Sequence, residues 1–190
     1  MLGLHYREKE PVNIKNTIER YGALSMLLHW TMAAMIIGLL SLGLYMTSLP
    51  DGDSKWEWYG LHKSIGMLVF VLAVLRLLWI KAHARPALPQ NLRPLERVAA
   101  HTTHGLLYLA MFLLPFSGYL DSSAGGYHLA FFDLFDLPKV LPKNKDIEEL
   151  MVLIHSSLAY GLIAVLLLHL VAVAKHHLIL KDDTLRRMLP

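Results

Sequence analysis

The chain has 190 residues, of which 55% are hydrophobic and only 17% are charged, and its formal net charge is +3. This composition is too apolar for an ordinary soluble domain, and the modest positive charge gives no indication of a nucleic-acid partner. The absence of cysteine excludes cysteine-bound iron–sulfur clusters, c-type haem attachment, disulfides and thiol catalysis.

The apolar residues fall into four blocks, each close to the roughly 20 residues that cross a bilayer as a helix. The blocks are residues 24–46, 61–80, about 99–120 and 150–174. They predict an all-α bundle of four transmembrane helices, forming one membrane domain over residues 1–190. Polar residues precede the first block, so we expect it to remain as a helix and not to be cleaved as a signal peptide.

Basic residues outside the four blocks predict the orientation of the chain. Most lie in the N-terminal arm, the second connection and the C-terminal tail: Arg7, Lys9, Lys15, Arg20, Lys81, Arg85, Arg93, Arg97, Lys175, Lys181, Arg186 and Arg187. The first and third connections together contain Lys55, Lys139, Lys143 and Lys145. The positive-inside rule therefore predicts that both termini are cytoplasmic.

Four histidines inside the apolar blocks pair by their depth in the membrane. His155 and His169 are fourteen residues apart on the fourth helix, which places them about 21 Å apart on nearly the same face. In the predicted topology, His62 matches the depth of His155, and His29 matches the depth of His169. Imidazoles that face each other across a helix bundle are suited to hold a cofactor between them. The sequence therefore predicts two haem b groups, an outer one bound by His62 and His155 and an inner one bound by His29 and His169.

Small residues stand four positions after three of these histidines, on the same helix face, where a flat macrocycle needs clearance. They are Ala33, Gly66 and Ala159, whereas Val173 follows His169. This pattern only supports the haem interpretation, because small residues are common at membrane helix contacts.

Two further residues have alternative interpretations. His104 is the main rival as an inner ligand, because it lies level with His29 and His169; otherwise it contacts a quinone or a haem propionate, or packs between helices. Lys63 directly follows His62. It is either an interfacial anchor or a cofactor-binding cation that pairs with a haem propionate or draws an anion toward the outer haem.

The third connection, residues 121–149, carries two glycines and then an aromatic and apolar stretch. So much apolar surface indicates a segment that lies on the outer membrane surface or caps the outer haem. The alternatives are a docking place for a partner or a quinone headgroup, and a loop that merely covers the bundle end.

Several stretches, in order, resemble the prokaryotic cytochrome b561 family. They are Glu19-Arg20-Tyr21-Gly22 leading to His29-Trp30, Leu61-His62-Lys63-Ser64-Ile65-Gly66, His155 with His169, and the tail from Lys175 to Arg186. The resemblance implies a multi-pass protein of the bacterial inner membrane with two b haems, whose ligand positions match His29, His62, His155 and His169. It also implies a quinone, ubiquinone or a related one, as substrate or acceptor.

We expect electron transfer without a catalytic side chain, because two histidines saturate each haem iron and disfavour oxygen binding. The expected function is transmembrane electron transfer linked to the quinone pool. The resembled family includes members that oxidise superoxide and reduce ubiquinone. The alternative is a haem-bearing membrane anchor that exchanges electrons with a separate periplasmic redox protein. A third hypothesis is a haem-free transporter or channel that uses its buried histidines for protons.

Overall fold

The computed structural model describes residues 13–84, 86–87 and 92–189. Within these residues lie four long helices, α1 (Ala23–Ser48), α2 (Asp53–Ala82), α3 (Pro94–Gly125) and α4 (Lys145–Ala174). Each is long and apolar enough to cross a membrane, which confirms the predicted all-α bundle. Arg7, Lys9 and Arg85, used above to predict orientation, lie outside the described residues. The cytoplasmic location of both termini stays a prediction.

The helices extend beyond the apolar blocks, so the predicted bounds were too short. The extension is large where α2 and α4 begin, which we call the outer end of the bundle. There α2 begins at Asp53 instead of residue 61, and α4 begins at Lys145 instead of residue 150. Asn144 caps α4, because its side-chain oxygen accepts hydrogen bonds from the backbone N–H groups of Asp146 and Ile147. Hydropathy marks the part of a helix that meets lipid, whereas such caps decide where the helix begins.

The bounds of α3 also follow from its end residues. Pro94 occupies the first helical position, where its missing N–H costs nothing, and the Glu96 carboxylate accepts a hydrogen bond from the backbone N–H of Arg93 at 3.1 Å. Gly126 caps the helix after Gly125, and its φ of 76° is a left-handed conformation that glycine adopts without strain. The third connection is therefore residues 126–144, not 121–149.

A small hairpin in this connection covers the outer end of α2. Its strands, β1 (Ala130–Phe131) and β2 (Phe135–Asp136), pair in antiparallel fashion. Ser64 anchors the hairpin: its hydroxyl oxygen accepts a hydrogen bond from the Phe132 backbone N–H at 2.9 Å. The connection thus covers the bundle end close to His62, as one of the sequence-based alternatives expected.

The helices pack in chain order, with α1 against α2, α2 against α3, and α3 most extensively against α4. A buried apolar core forms at the middle of the bundle from Met32, Val69, Ala73 and Met111. Along α2, Val69 and Ala73 follow His62 toward the opposite end, which we call the inner end. The core therefore separates two levels of histidines.

The C-terminal tail returns to the inner end of α1. It follows α4 through a π-helical turn (Lys175–Leu180) and reverses at Lys181, which has a φ of 52°. The indole N–H of Trp30 donates a hydrogen bond to the carbonyl of Met188 at 2.8 Å, and the Arg20 guanidinium donates to the carbonyl of Leu189 at 2.7 Å. The tail therefore lies against the inner end of the bundle.

Candidate functional site

His62 and His155 face each other near the outer end of the bundle. His62 follows the start of α2 by nine residues and His155 follows the start of α4 by ten, so each lies about 13–15 Å along its helix. Their ring centroids are 6.3 Å apart. Imidazole nitrogens bind metals at about 2 Å, so two rings that share one metal ion have centroids about 6 Å apart. The spacing of this pair fits one metal ion between the rings.

Both histidines line a cavity of about 280 Å³ to which all four helices contribute residues. Gly66 and Ala159, the small residues that the sequence analysis singled out beside the two histidines, also line it. A Cβ atom added at Gly66 would meet nothing within 4 Å, so this position opens onto free space. The clearance beside His62 that a flat cofactor requires is therefore present.

The imidazole of His62 has a ring nitrogen that makes no hydrogen bond with the described residues. Its Nδ1 atom is buried and has no hydrogen-bond partner among the described residues. A buried polar atom without a partner costs about 1–3 kcal/mol. Two facing imidazoles in an apolar, four-helix cavity are a donor set that suits haem iron, which takes its remaining ligands from the porphyrin. The residues at the outer end therefore fit a haem.

Two glycines on neighbouring helices lie beside the outer histidines, and the sequence analysis missed both. A Cβ atom added at Gly43 of α1 would lie 3.5 Å from Cε1 of His62, and one added at Gly118 of α3 would lie 3.2 Å from Cε1 of His155. No spacing rule along one helix could have found them, because each glycine faces a histidine on another helix.

Three histidines gather at the inner end. The rings of His104 and His169 have centroids 5.7 Å apart, with 62° between their planes. His29 lies near enough to both, and to Arg76, for electrostatic interaction, and its ring packs edge-on against Trp30. His29, His169 and the rival His104 therefore lie together at the inner level.

Arg76 of α2 is a further residue of the inner site that the sequence analysis missed. Its guanidinium lies 5.9 Å from the ring centroid of Tyr108, within the range of a cation–π contact. It also interacts electrostatically with His29 and His169. A cation beside these imidazoles is suited to pair with an anionic group of a bound cofactor.

Lys63 lies at the outer mouth of the cavity. Its ammonium is 5.3 Å from the ring centroid of Tyr127 and 3.5 Å from the carbonyl oxygen of His128, and it interacts electrostatically with Asp121. Tyr127 donates a hydrogen bond to Glu148 at 2.6 Å, which raises the pKa of Tyr127 to about 12 and keeps the phenol neutral. Lys63 is therefore a cation held over the cavity that His62 and His155 line.

The chain is similar to known proteins over nearly its whole length. Residues 20–190 match the family described as prokaryotic cytochrome b561. The chain is 37% identical over 182 residues to cytochrome b561 homolog 2 of Escherichia coli K12, covering 94% of this chain and 95% of that protein. It is 28% identical over 172 residues to the probable superoxide oxidase CybB of Yersinia pestis, covering 90% and 97%. It is also 28% identical over 178 residues to cytochrome b561 homolog 1 of E. coli K12, covering 91% and 98%.

The family match spans the four transmembrane helices and every histidine considered above as a haem ligand. Family membership implies haem b binding, electron transport and a multi-pass location in the bacterial inner membrane, as the sequence predicted. The chain belongs to the prokaryotic cytochrome b561 family.

Proposed function

We propose that this protein is a di-haem b cytochrome that moves electrons across the membrane in exchange with the quinone pool. The observation that carries the proposal is the placement of histidines at two levels of one bundle. His62 and His155 meet at the outer level. His169, fourteen residues beyond His155 on α4, meets His104 and lies near His29 at the inner level. Each level offers imidazoles from at least two helices.

The ligands in this proposal are His62 and His155 for the outer haem and His29 and His169 for the inner one. When bound, each haem supplies a one-electron redox centre. With two imidazoles bound to each iron, no position would remain for oxygen. The levels lie about 21 Å apart along α4, which divides a hydrocarbon core of about 30 Å. Electrons would therefore cross the bilayer in two stages.

Three other residues support this role. Lys63 at the outer mouth and Arg76 at the inner level are cations that could pair with an anionic group of the cofactor. Most of the residues that line the cavity beside the outer imidazoles are apolar. Met32 is buried in the apolar core that lies between the outer and the inner histidines.

A specific observation favours a second candidate function, that of a haem-bearing membrane anchor for a periplasmic redox protein. Beside the Lys63 side chain lies an outer pocket that Asp53, Glu57 and Asp133 also line. These carboxylates suit a cationic protein surface and repel a small anion such as superoxide. The similarity to a probable superoxide oxidase favours superoxide as the outer electron donor instead.

Vesicles that contain the purified protein test the proposal. A quinol dissolved in the bilayer donates electrons, and ferricyanide in the outer solution accepts them. We expect wild-type protein to accelerate ferricyanide reduction, and His155→Ala and His169→Ala each to abolish the acceleration. His101→Ala, which replaces an exposed histidine of α3, is the control and should keep it. Equal rates in all three variants would contradict the proposal.

The same vesicles distinguish the outer partners. Pulses of superoxide with ubiquinone in the bilayer should reduce the haems within the mixing time if superoxide is the donor. A failure to react, together with co-purification of a basic periplasmic redox protein, would favour the anchor function.

A further inference from the structure

Two groups of α3 contact the imidazole of His155 on α4. The Nδ1 atom of His155 lies 3.0 Å from the hydroxyl oxygen of Ser117 and 3.0 Å from the carbonyl oxygen of Leu114. The Ser117 hydroxyl in turn lies 2.9 Å from the same Leu114 oxygen. Ser117 is only 4% exposed, so this closed triangle of polar contacts is shielded from solvent and lipid.

The triangle determines where the hydrogen atoms lie. A carbonyl oxygen can only accept, so the Nδ1–H of His155 and the hydroxyl of Ser117 both donate to Leu114. The Ser117 oxygen then remains free to accept from the same Nδ1–H. The other neutral tautomer would set the Nδ1 lone pair against the lone pairs of the Leu114 oxygen at 3.0 Å. Neutral His155 therefore carries its proton on Nδ1 and keeps a free lone pair on Nε2.

The local sequence of α3 explains why these groups face α4. Pro115 lies inside the helix, where it lacks an N–H and disturbs the preceding turn. Ser117 bonds back to a carbonyl of its own helix, as serine often does within helices. Gly118 has no side chain, and a Cβ atom there would lie 3.3 Å from Nδ1 of His155. Any side chain at this position would therefore push the imidazole away from the α3 backbone by a few tenths of an ångström.

We propose that Ser117 and the Leu114 carbonyl are positioning groups that hold His155 as an Nε2 ligand and increase its basicity. This inference rests on the proposed function, because it takes His155 to bind the outer haem. Histidines that bind metals usually donate their other ring N–H to a carbonyl or carboxylate, which fixes the ring and makes it a stronger ligand. A more basic axial ligand favours ferric over ferrous iron and so lowers the potential of the haem.

The arrangement makes the two outer histidines unequal. The Nδ1 atom of His155 has two partners, whereas the buried Nδ1 atom of His62 has none among the described residues. The hydrogen bonds to His155 are therefore the ones through which α3 sets the potential of the outer haem.

A potentiometric titration of purified Ser117→Ala protein tests this inference. The component that His155→Ala removes identifies the outer haem. We expect Ser117→Ala to raise the midpoint potential of that component alone, by up to the roughly 59 mV that a tenfold change represents for one electron. The separate variant Ser117→Thr should have the wild-type midpoint potential of the outer haem, because a threonine hydroxyl can bond the same helix carbonyl. Ser41→Ala is the control, since the Ser41 hydroxyl bonds the carbonyl of Ile37 within α1.

Each outcome decides one question. If wild-type protein contains no haem, the proposed function fails. If it contains two haems and Ser117→Ala changes neither potential, the positioning role fails and the proposed function stands. Equal shifts of both haems, or the same shift in Ser41→Ala, would indicate general loosening and would also overturn the positioning role. Loss of the outer haem in Ser117→Ala supports the role if Ser117→Thr recovers it and overturns the role if it does not.

Discussion

The imidazole of His104 on α3 lies edge-on to that of His169 on α4, with 5.7 Å between the ring centroids. This distance is close to the 6.3 Å between His62 and His155 at the outer level. His29 lies close enough to both inner rings to interact with them electrostatically. Geometry therefore offers two partners for His169, and the proposed pair is His29 with His169.

Alanine substitutions should separate these two partners. We expect His169→Ala and His29→Ala each to lose the inner haem and to keep the outer one, because each removes an axial ligand. His104→Ala should keep both haems, as should the control His101→Ala on the same helix. Reduced-minus-oxidised spectra of the purified variants measure this. An inner haem that depends on His104 and survives His29→Ala would show that the ligand pair is wrong.

Gly118→Ala should disturb the outer site without a direct change of ligand. The added Cβ atom would lie 3.2 Å from Cε1 of His155, so the ring must shift. We expect weaker retention of the outer haem and a loss of about 1–3 kcal/mol of stability, as in other overpacked cores. Gly105→Ala on the same helix is the control, because a Cβ atom there meets nothing within 4 Å. Equal haem retention in the two variants would argue against close packing of α3 on His155.

Asp182 should stabilise the C-terminal tail in a pH-dependent way. Burial alone would raise the pKa of its carboxyl, but hydrogen bonds from Thr184 and His176 outweigh that effect, and the pKa lies below its usual value of 3.8. Ionised Asp182 therefore stabilises the fold at a pH well above the usual pKa of 3.8, and this stabilisation is lost as the pH falls through the lowered pKa. We expect Asp182→Asn to cost about 1 kcal/mol at pH 7.

Thermal unfolding measures this cost as a decrease in Tm of about 2–4 °C at pH 7. The decrease should narrow as the pH falls below the usual carboxyl pKa and through the lowered pKa of Asp182, where the wild-type carboxyl also becomes protonated. Asp183→Asn is the matched control, because the neighbouring Asp183 is exposed and its carboxylate lies 3.9 Å from Arg186. The same loss of Tm at pH 7 and at pH 3 would contradict the account.

Ser64 should hold the hairpin against the outer end of α2. Its hydroxyl accepts from the Phe132 backbone N–H at 2.9 Å and lies 3.3 Å from the carbonyl oxygen of Ala130. Ser64→Ala leaves that N–H without this partner, at a cost of about 1–3 kcal/mol. We expect faster hydrogen exchange of hairpin amides, while Ser48→Ala, whose hydroxyl bonds the Tyr45 carbonyl, should leave exchange unchanged. Unaltered exchange in Ser64→Ala would mean that other contacts hold the hairpin.

The sequence predicted the four helices because membrane-length apolar blocks have few alternatives in a bilayer. It also predicted the two histidine levels, because depth follows from chain order once the spans are known. The meeting of His155 with Ser117 could not be predicted, since it depends on how α3 rotates against α4. The rotation places Gly118 and the Leu114 carbonyl toward the ring, and no periodicity within α3 marks that face.

Helix ends were also predicted imperfectly. The signals for the start of α4 are present in Asn144 and the acidic residues after it, but a prediction from apolar blocks does not take such signals into account. The hairpin around Phe131 was missed for another reason: its strands are two residues long, and Ser64 of a different element holds it. Such short strands have no periodicity that a sequence could reveal.

The central claim is that the chain binds two b haems at two levels. The most direct test is the haem content of purified wild-type protein, measured as pyridine haemochrome per polypeptide and combined with a potentiometric titration. The account predicts two b haems per chain and two separate one-electron components, one of which His155→Ala removes. One haem per chain, or none, would contradict it.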